Sequence, residues 1–182
     1  MATIRHTPIP APLAAVFKKE NIKPRVFKSV AAFERAFQKF IRRNHVLHLS
    51  TCRGNQPRST ALEYRSSGMT FYILSEGGGK FENLRHNPRV SFSIAEPYNS
   101  EQDYWSYKGV QAFGTARVYS RKEQPEQFNA ALRKMKIGKV LKKLGMKELP
   151  SAFNYRIIEI TPDRLKYGNP REGIYWTHWQ RK

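Results

Sequence analysis

Three short segments separated by turn signals restrict this chain more than any other feature. Residues 46–52, 58–65 and 69–75 carry most of their local apolar, β-branched and aromatic side chains. Arg53-Gly54-Asn55-Gln56, closed by Pro57, divides the first two, and Ser66-Ser67-Gly68 divides the second from the third. Strands joined by turns this short pair antiparallel, because a parallel return needs a crossover of about a dozen residues. A β-meander is therefore expected over residues 46–75.

The flanking segments add helices and more strands. Ser29 is placed to cap a helix over residues 30–43, in which Val30, Phe33, Phe37 and Ile41 form one apolar face. Arg42 and Arg43 fall in its last turn, where the helix dipole favours cations. A short helix over residues 80–86 is stopped by Asn87-Pro88. Residues 89–95 alternate Val90, Phe92 and Ile94 with Arg89, Ser91 and Ser93, as a strand does. A polar loop over 96–104 leads to a long or bent strand over 105–120, with Gly109 and Gly114 as points of bending or close approach. Residues 123–147 read as helical, weakened at Gly138 and Gly145, and residues 154–161 as a last strand ended by Pro162. This order predicts a mainly β fold with peripheral α-helices, an antiparallel barrel of six to seven strands. Residues 1–28 are read as a basic, Pro-containing arm, 29–170 as the barrel domain, and 171–182 as an aromatic and basic tail.

Charge limits the partners. Lys and Arg number 33 against 14 Asp and Glu, a net charge of +19, which favours anionic ligands: phosphate cofactors, nucleic acid or an acidic membrane surface. Cys52 is the single cysteine, so an intrachain disulfide and a Cys-based zinc cage are excluded. No apolar run approaches the roughly 20 residues of a membrane span. Pro8, Pro10 and Pro12 interrupt the only candidate secretion core, so a cytoplasmic location is expected.

The chemistry concentrates in two places. Pro57-Arg58-Ser59-Thr60-Ala61-Leu62 lies on the second strand. Tyr72-Ile73-Leu74-Ser75 ends the third and leads to Gly77-Gly78-Gly79-Lys80, which opens a helix. A glycine loop entering a helix directs free backbone N–H groups at one point, which suits a phosphate. Lys80 adds charge there, and Arg58 can add a two-pronged contact from the neighbouring strand. The spacing is not that of a nucleotide P-loop, since Leu74 stands where its first glycine belongs and Phe81 follows the lysine. His45 and His48 are three apart at the start of a strand, facing opposite sides, so no metal site is expected of them.

These segments, in this order, resemble the pyridoxamine 5'-phosphate oxidase-like superfamily of FMN-binding split barrels. The resemblance rests on Leu47-His48-Leu49-Ser50-Thr51, Gly54-Asn55-Gln56-Pro57-Arg58-Ser59, Phe71-Tyr72-Ile73-Leu74-Ser75 and Gly109-Val110-Gln111-Ala112-Phe113-Gly114-Thr115-Ala116. Its most specific part runs from Lys80-Phe81-Glu82-Asn83 to Asn87-Pro88-Arg89-Val90, and residues 156–162 look like the closing strand. It implies a homodimer with FMN at the subunit interface, acting as an oxidoreductase on a small-molecule substrate or electron donor. It also implies that Arg58 and Lys80, with Gly79 beside them, hold the FMN phosphate. Ser59, Thr60 and Ala61 would run along the flavin, and Leu74 and Ser75 would complete the site.

One departure bears on the substrate. The oxidases resembled end in Arg-Leu-His-Asp-Arg, whereas this chain ends Tyr175-Trp176-Thr177-His178-Trp179-Gln180-Arg181-Lys182. The vitamin B6 reaction is therefore not expected. Tyr107 and His178 are the acid–base candidates, and His178 is also a candidate haem ligand. The basic run from Arg133 to Lys143 reads as a solvated helix face whose Ile137, Val140, Leu141 and Leu144 pack on the barrel. The alternatives are a non-enzymatic FMN or haem carrier, a deazaflavin-dependent reductase, and a basic nucleic-acid-binding barrel.

Overall fold

The computed structural model describes all residues, 1–182. The element order is β1 (Ala2–His6), α1 (Ala11–Lys19), α2 (Val30–Arg43), β2 (Val46–Arg53), β3 (Gln56–Glu63), β4 (Arg65–Ser67), β5 (Thr70–Ser75), α3 (Gly79–His86), β6 (Arg89–Ala95), β7 (Gly109–Ser120), α4 (Pro125–Met135), α5 (Gly138–Lys143), β8 (Arg156–Asn169) and β9 (Ile174–Arg181). All strand pairs are antiparallel. The mainly β class is as expected, but the three-strand meander is not continuous: β2 pairs with β3, whereas β5 pairs with the short β4 and with β8 and not with β3.

A ring closes through β2, β3, β4, β5, β8, β7 and β6, because β4 continues β3 after one residue and pairs with β5. That residue, Tyr64, is only 2% exposed. Its hydroxyl donates to the Ile41 carbonyl at 2.7 Å and its N–H to the His45 carbonyl at 2.9 Å, which fixes the bend against α2. The interior is filled by Leu47, Leu49, Phe71, Ile73, Phe92, Val110, Ile158 and Ile160. Helix α2 lies over it, capped by the Ser29 hydroxyl, which accepts from the Ala32 N–H at 3.1 Å. Phe33, Phe37, Phe40 and Ile41 are its buried face, and Phe33, Phe37 and Phe40 meet the Tyr167 ring edge-on at 5.4–6.3 Å.

The strand expected to end at Pro162 instead runs on to Asn169. The proline is accommodated because the β7–β8 register shifts between Phe113 and Gly114, so its missing N–H falls at an irregularity. A side chain at Gly114 would strike the Thr161 carbonyl, so glycine is the residue that permits the approach. Beyond this point β8 exchanges neighbours: Arg156–Ile160 pairs with β5, whereas residues 164–169 pair with β9. Strand β1 then covers the outer edge of β9. Residues 2–6 of the expected arm and 174–181 of the expected tail thus form a two-stranded wing on the barrel, and the rest of the arm carries α1 and buries Phe17, Ile22 and Phe27.

The region read as one weakened helix is two, α4 and α5, interrupted where Lys136 adopts a left-handed backbone. Ile137 and Leu141 pack inward as expected, but Val140 and Leu144 remain exposed. No helix is long and apolar enough to cross a membrane.

Candidate functional site

Helix α3 is set against β2 by its buried Phe81 and Leu84, by the Asn83 side-chain amide donating to the Thr51 hydroxyl at 3.0 Å, and by an Arg53–Glu82 ion pair at 2.8 Å. This attachment carries its N-terminus to the end of β3. Gly78 precedes the helix with φ of 103°, a left-handed backbone suited to glycine, and offers no side-chain cap. The first N–H groups therefore face outward unpaired by any side chain.

Three cations converge on that point. Lys80 is 6% exposed, and its ammonium donates to the Gly77 carbonyl and lies 4.7 Å from the Phe81 ring centre. The Arg58 guanidinium packs beside Gly79, where a β-carbon would stand 3.4 Å from its Nη1. The Arg156 guanidinium lies 5.0 Å from the same Phe81 ring. None of the three is paired with a carboxylate. Burial, and then the charges of Arg58 and Arg156, lower the pKa of Lys80. Like charges gathered without acidic partners form a receptor for an anion.

The expected residues divide. Arg58, Gly79 and Lys80 are brought together. Ser59 and Ala61 are exposed on β3, which ends the sheet path and pairs only with β2, so its outer backbone edge is free. Thr60 leaves its hydroxyl oxygen buried without a partner. Ser75 stands opposite Arg156 in the β5–β8 ladder, at the rim of the cluster. The Leu74 side chain instead lines a separate apolar groove with Met135, Leu141 and Tyr155. Adjacent strand residues point to opposite faces, and so Leu74 and Ser75 cannot both present side chains to the cluster. Arg156 was not foreseen. Nothing local distinguishes it, and only the pairing of β8 with β5 brings it to Lys80.

Tyr107 and His178 lie elsewhere. His178, on β9, lines a cavity of about 730 Å³ with Arg5, Phe113, Arg164 and Lys166, none of which belongs to the cation cluster. Its Nε2 is 2.9 Å from the Thr7 hydroxyl, and burial together with Arg5 and Lys166 lowers its pKa. Tyr107 stacks edge-on to Trp176 at 5.8 Å, and Lys166 sits 4.0 Å from that indole. Arg171 is engaged by Asp103, with Nε 2.8 Å from Oδ2.

The chain is thus an antiparallel split β-barrel that carries an unpaired cation cluster at the mouth of a glycine loop. Residues 33–168 match the pyridoxamine 5'-phosphate oxidase family, and the chain belongs to that family. It is 39% identical over 54 residues to the Rhizobium meliloti protein RA0666, a match that spans 30% of this chain and 36% of that one. Among solved structures it is similar to a FAD-binding protein of Mesorhizobium loti, with a TM-score of 0.54, 20% identity, and coverage of 81% of this chain and 93% of that chain. It is similar to General Stress Protein 26 of Bacillus anthracis at a TM-score of 0.54 and 20% identity, covering 74% and 92%. It is also similar to the heme storage protein HutZ of Vibrio cholerae at a TM-score of 0.53 and 18% identity, covering 71% and 89%. These likenesses establish the fold.

Proposed function

We propose that the protein is a flavin-dependent oxidoreductase that binds FMN with its phosphate on Arg58, Lys80 and Arg156. The observation that carries this reading is the cluster itself: three cations, one of them buried, with no carboxylate to neutralise them. A phosphate monoester brings about −1.5 to −2 charges at neutral pH and strong acceptor oxygens, which match these donors and the free N–H groups of α3. The unpaired backbone edge of β3 beside Ser59, Thr60 and Ala61 offers alternating donors and acceptors, which suit the pyrimidine edge of a flavin ring. When bound, the flavin supplies the redox chemistry, and the protein holds and orients it.

A second copy of the chain completes the site in this reading. An exposed strand edge open to pairing, as on β3, is a feature proteins ordinarily cover. The haem reading has less support, because the Nε2 of His178 is already engaged by Thr7 and cations flank the ring.

The test is the absorption spectrum of the purified protein, followed by titration with FMN and riboflavin. The expected result is a flavin spectrum and FMN binding much tighter than riboflavin binding. The Arg58→Ala/Lys80→Ala variant should lose that preference while keeping its fold, since each charge-assisted contact contributes roughly 1.5–3 kcal/mol. Unchanged FMN affinity in the folded variant would defeat the phosphate assignment.

A further inference from the structure

The segment from Arg133 to Lys147 has no part in the phosphate cluster, and the barrel does not account for its composition. It holds seven Lys and Arg residues, and no Asp or Glu falls between Glu126 and Glu148. All seven are exposed, and none is in an ion pair. A merely solvated helix face would turn its apolar residues onto the barrel, and here two of them point away: Val140 is 39% exposed and Leu144 64%.

The helical repeat of 3.6 residues sets Val140 and Leu144 together on one face of α5. Leu141 turns from that face onto the buried Phe128, Met135 and Leu149, and Lys139 and Lys143 flank the other side. The exposed pair also lines an apolar groove of about 230 Å³ shared with Leu74, Met135, Leu141 and Met146. The exposed Phe153 meets Tyr155, a further lining residue, edge-on at 5.8 Å and extends the patch. Two carboxylates adjoin it, Glu63, paired with Arg65 at 2.8 Å, and Glu76, beside the Tyr155 hydroxyl. The segment is tied to the barrel through the buried Phe128, Ala131 and Met135 of α4.

An exposed apolar patch of this kind marks an interaction surface, and the charge around it selects the partner. A second copy docked through the same face would set these cations against themselves. A nucleic-acid backbone would satisfy the cations and leave Val140 and Leu144 in water. An anionic bilayer meets both halves, with phosphates for the cations and the acyl boundary for the apolar side chains. We propose that residues 133–147 are a peripheral docking surface for an anionic phospholipid bilayer, with Val140 and Leu144 entering the headgroup boundary and Lys139 and Lys143 on lipid phosphates. The lysine stems can lie along the apolar boundary while their ammonium groups stay among the headgroups. This surface is independent of the flavin reading.

The experiment is co-sedimentation of the full-length protein with vesicles of phosphatidylcholine alone or mixed with phosphatidylglycerol, and binding is expected only to the mixture. A net charge of +19 attracts anionic vesicles by itself, so the variants must separate this surface from charge in general. Every substituted side chain is exposed, and the variants are expected to fold. Val140→Ser/Leu144→Ser keeps every charge and should weaken binding about tenfold, through the loss of two apolar contacts. Lys139→Gln/Lys143→Gln should weaken it about thirtyfold, whereas Lys18→Gln/Lys19→Gln on α1 should change it little. In Leu144→Trp the added indole should shift to the blue on the mixed vesicles and be quenched by brominated acyl chains. No vesicle binding, equal binding to both compositions, equal losses in the two lysine variants, or an indole that neither shifts nor is quenched on bound vesicles would each overturn the proposal. A short DNA duplex that strips the protein from the vesicles at equal phosphate concentration would also overturn it, by assigning the cations to nucleic acid.

Discussion

The guanidinium of Arg58, on β3, packs against Gly79, the first residue of α3, with 3.4 Å between its Nη1 and the position of a β-carbon there. Two segments 21 residues apart thereby aim charge and backbone donors at one point. A long side chain at Gly79 would displace the guanidinium while leaving both charges in place. Gly79→Leu should therefore weaken FMN binding by about ten- to hundredfold, the loss of one charge-assisted contact, with little change in thermal stability. Titration of the folded variant measures it, and wild-type affinity would show that Arg58 does not act from this position.

Lys80 makes the site sensitive to alkaline pH. Burial and the neighbouring Arg58 and Arg156 lower its pKa below the ordinary 10.5. Between the lowered value and 10.5 the unfolded chain binds more protons than the folded one, so this residue makes stability rise with pH across that window. Phosphate binding moves the opposite way, because it needs the ammonium. FMN affinity should fall as pH rises through the lowered value, before 10.5 is reached. Lys80→Met should bind more weakly at neutral pH and lack that fall. Parallel pH profiles for the two proteins would remove Lys80 from the site.

Gly114 marks the place where the barrel splits. Alanine there would drive a methyl group into the Thr161 carbonyl, beside the register shift that admits Pro162. Gly114→Ala should destabilise the fold by roughly 1–3 kcal/mol, the usual cost of overpacking a close contact. Urea denaturation provides the measurement, and an unchanged midpoint would mean that the strands separate freely at this point.

The protein is not expected to oxidise pyridoxamine 5'-phosphate efficiently. Orientation of that substrate over the flavin supplies much of the rate. Two cations that could clamp its phosphate are otherwise engaged, Arg171 with Asp103 and Lys166 over the Trp176 indole. Turnover under air by flavin-loaded protein should stay well below about 1 per second, the lower end of common enzymatic rates. A rate inside that range would show that another clamp exists.

A homodimer at micromolar concentration is expected from the free edge of β3 and the exposed site residues along it. Sedimentation velocity tests this. A monomer that still binds flavin tightly would place the whole site within one chain.

Much of this architecture was legible in the residue pattern, because it rests on local signals. The Ser29 cap and the Phe33, Phe37 and Ile41 spacing define α2 over Val30–Arg43. The alternation of Val90, Phe92 and Ile94 defines β6 over Arg89–Ala95. Arg58 and Lys80 were legible for a similar reason, as each stands in a short motif whose backbone geometry is set by neighbouring glycine or proline. What only the tertiary structure decided depends on pairing between distant segments. β8 continues past Pro162 because a register shift against β7 absorbs the proline, and no local pattern encodes that shift. Residues 174–181 form a strand because the extension of β8 pairs with them, and residues 2–6 because they pair with the outer edge so made, so neither can be read alone. Arg156 reaches Lys80 because β8 pairs with β5 so that Ser75 and Arg156 face each other. Local composition fixes which segments extend or coil. Which charges meet is fixed by strand register, a property of the closed sheet that no single segment carries.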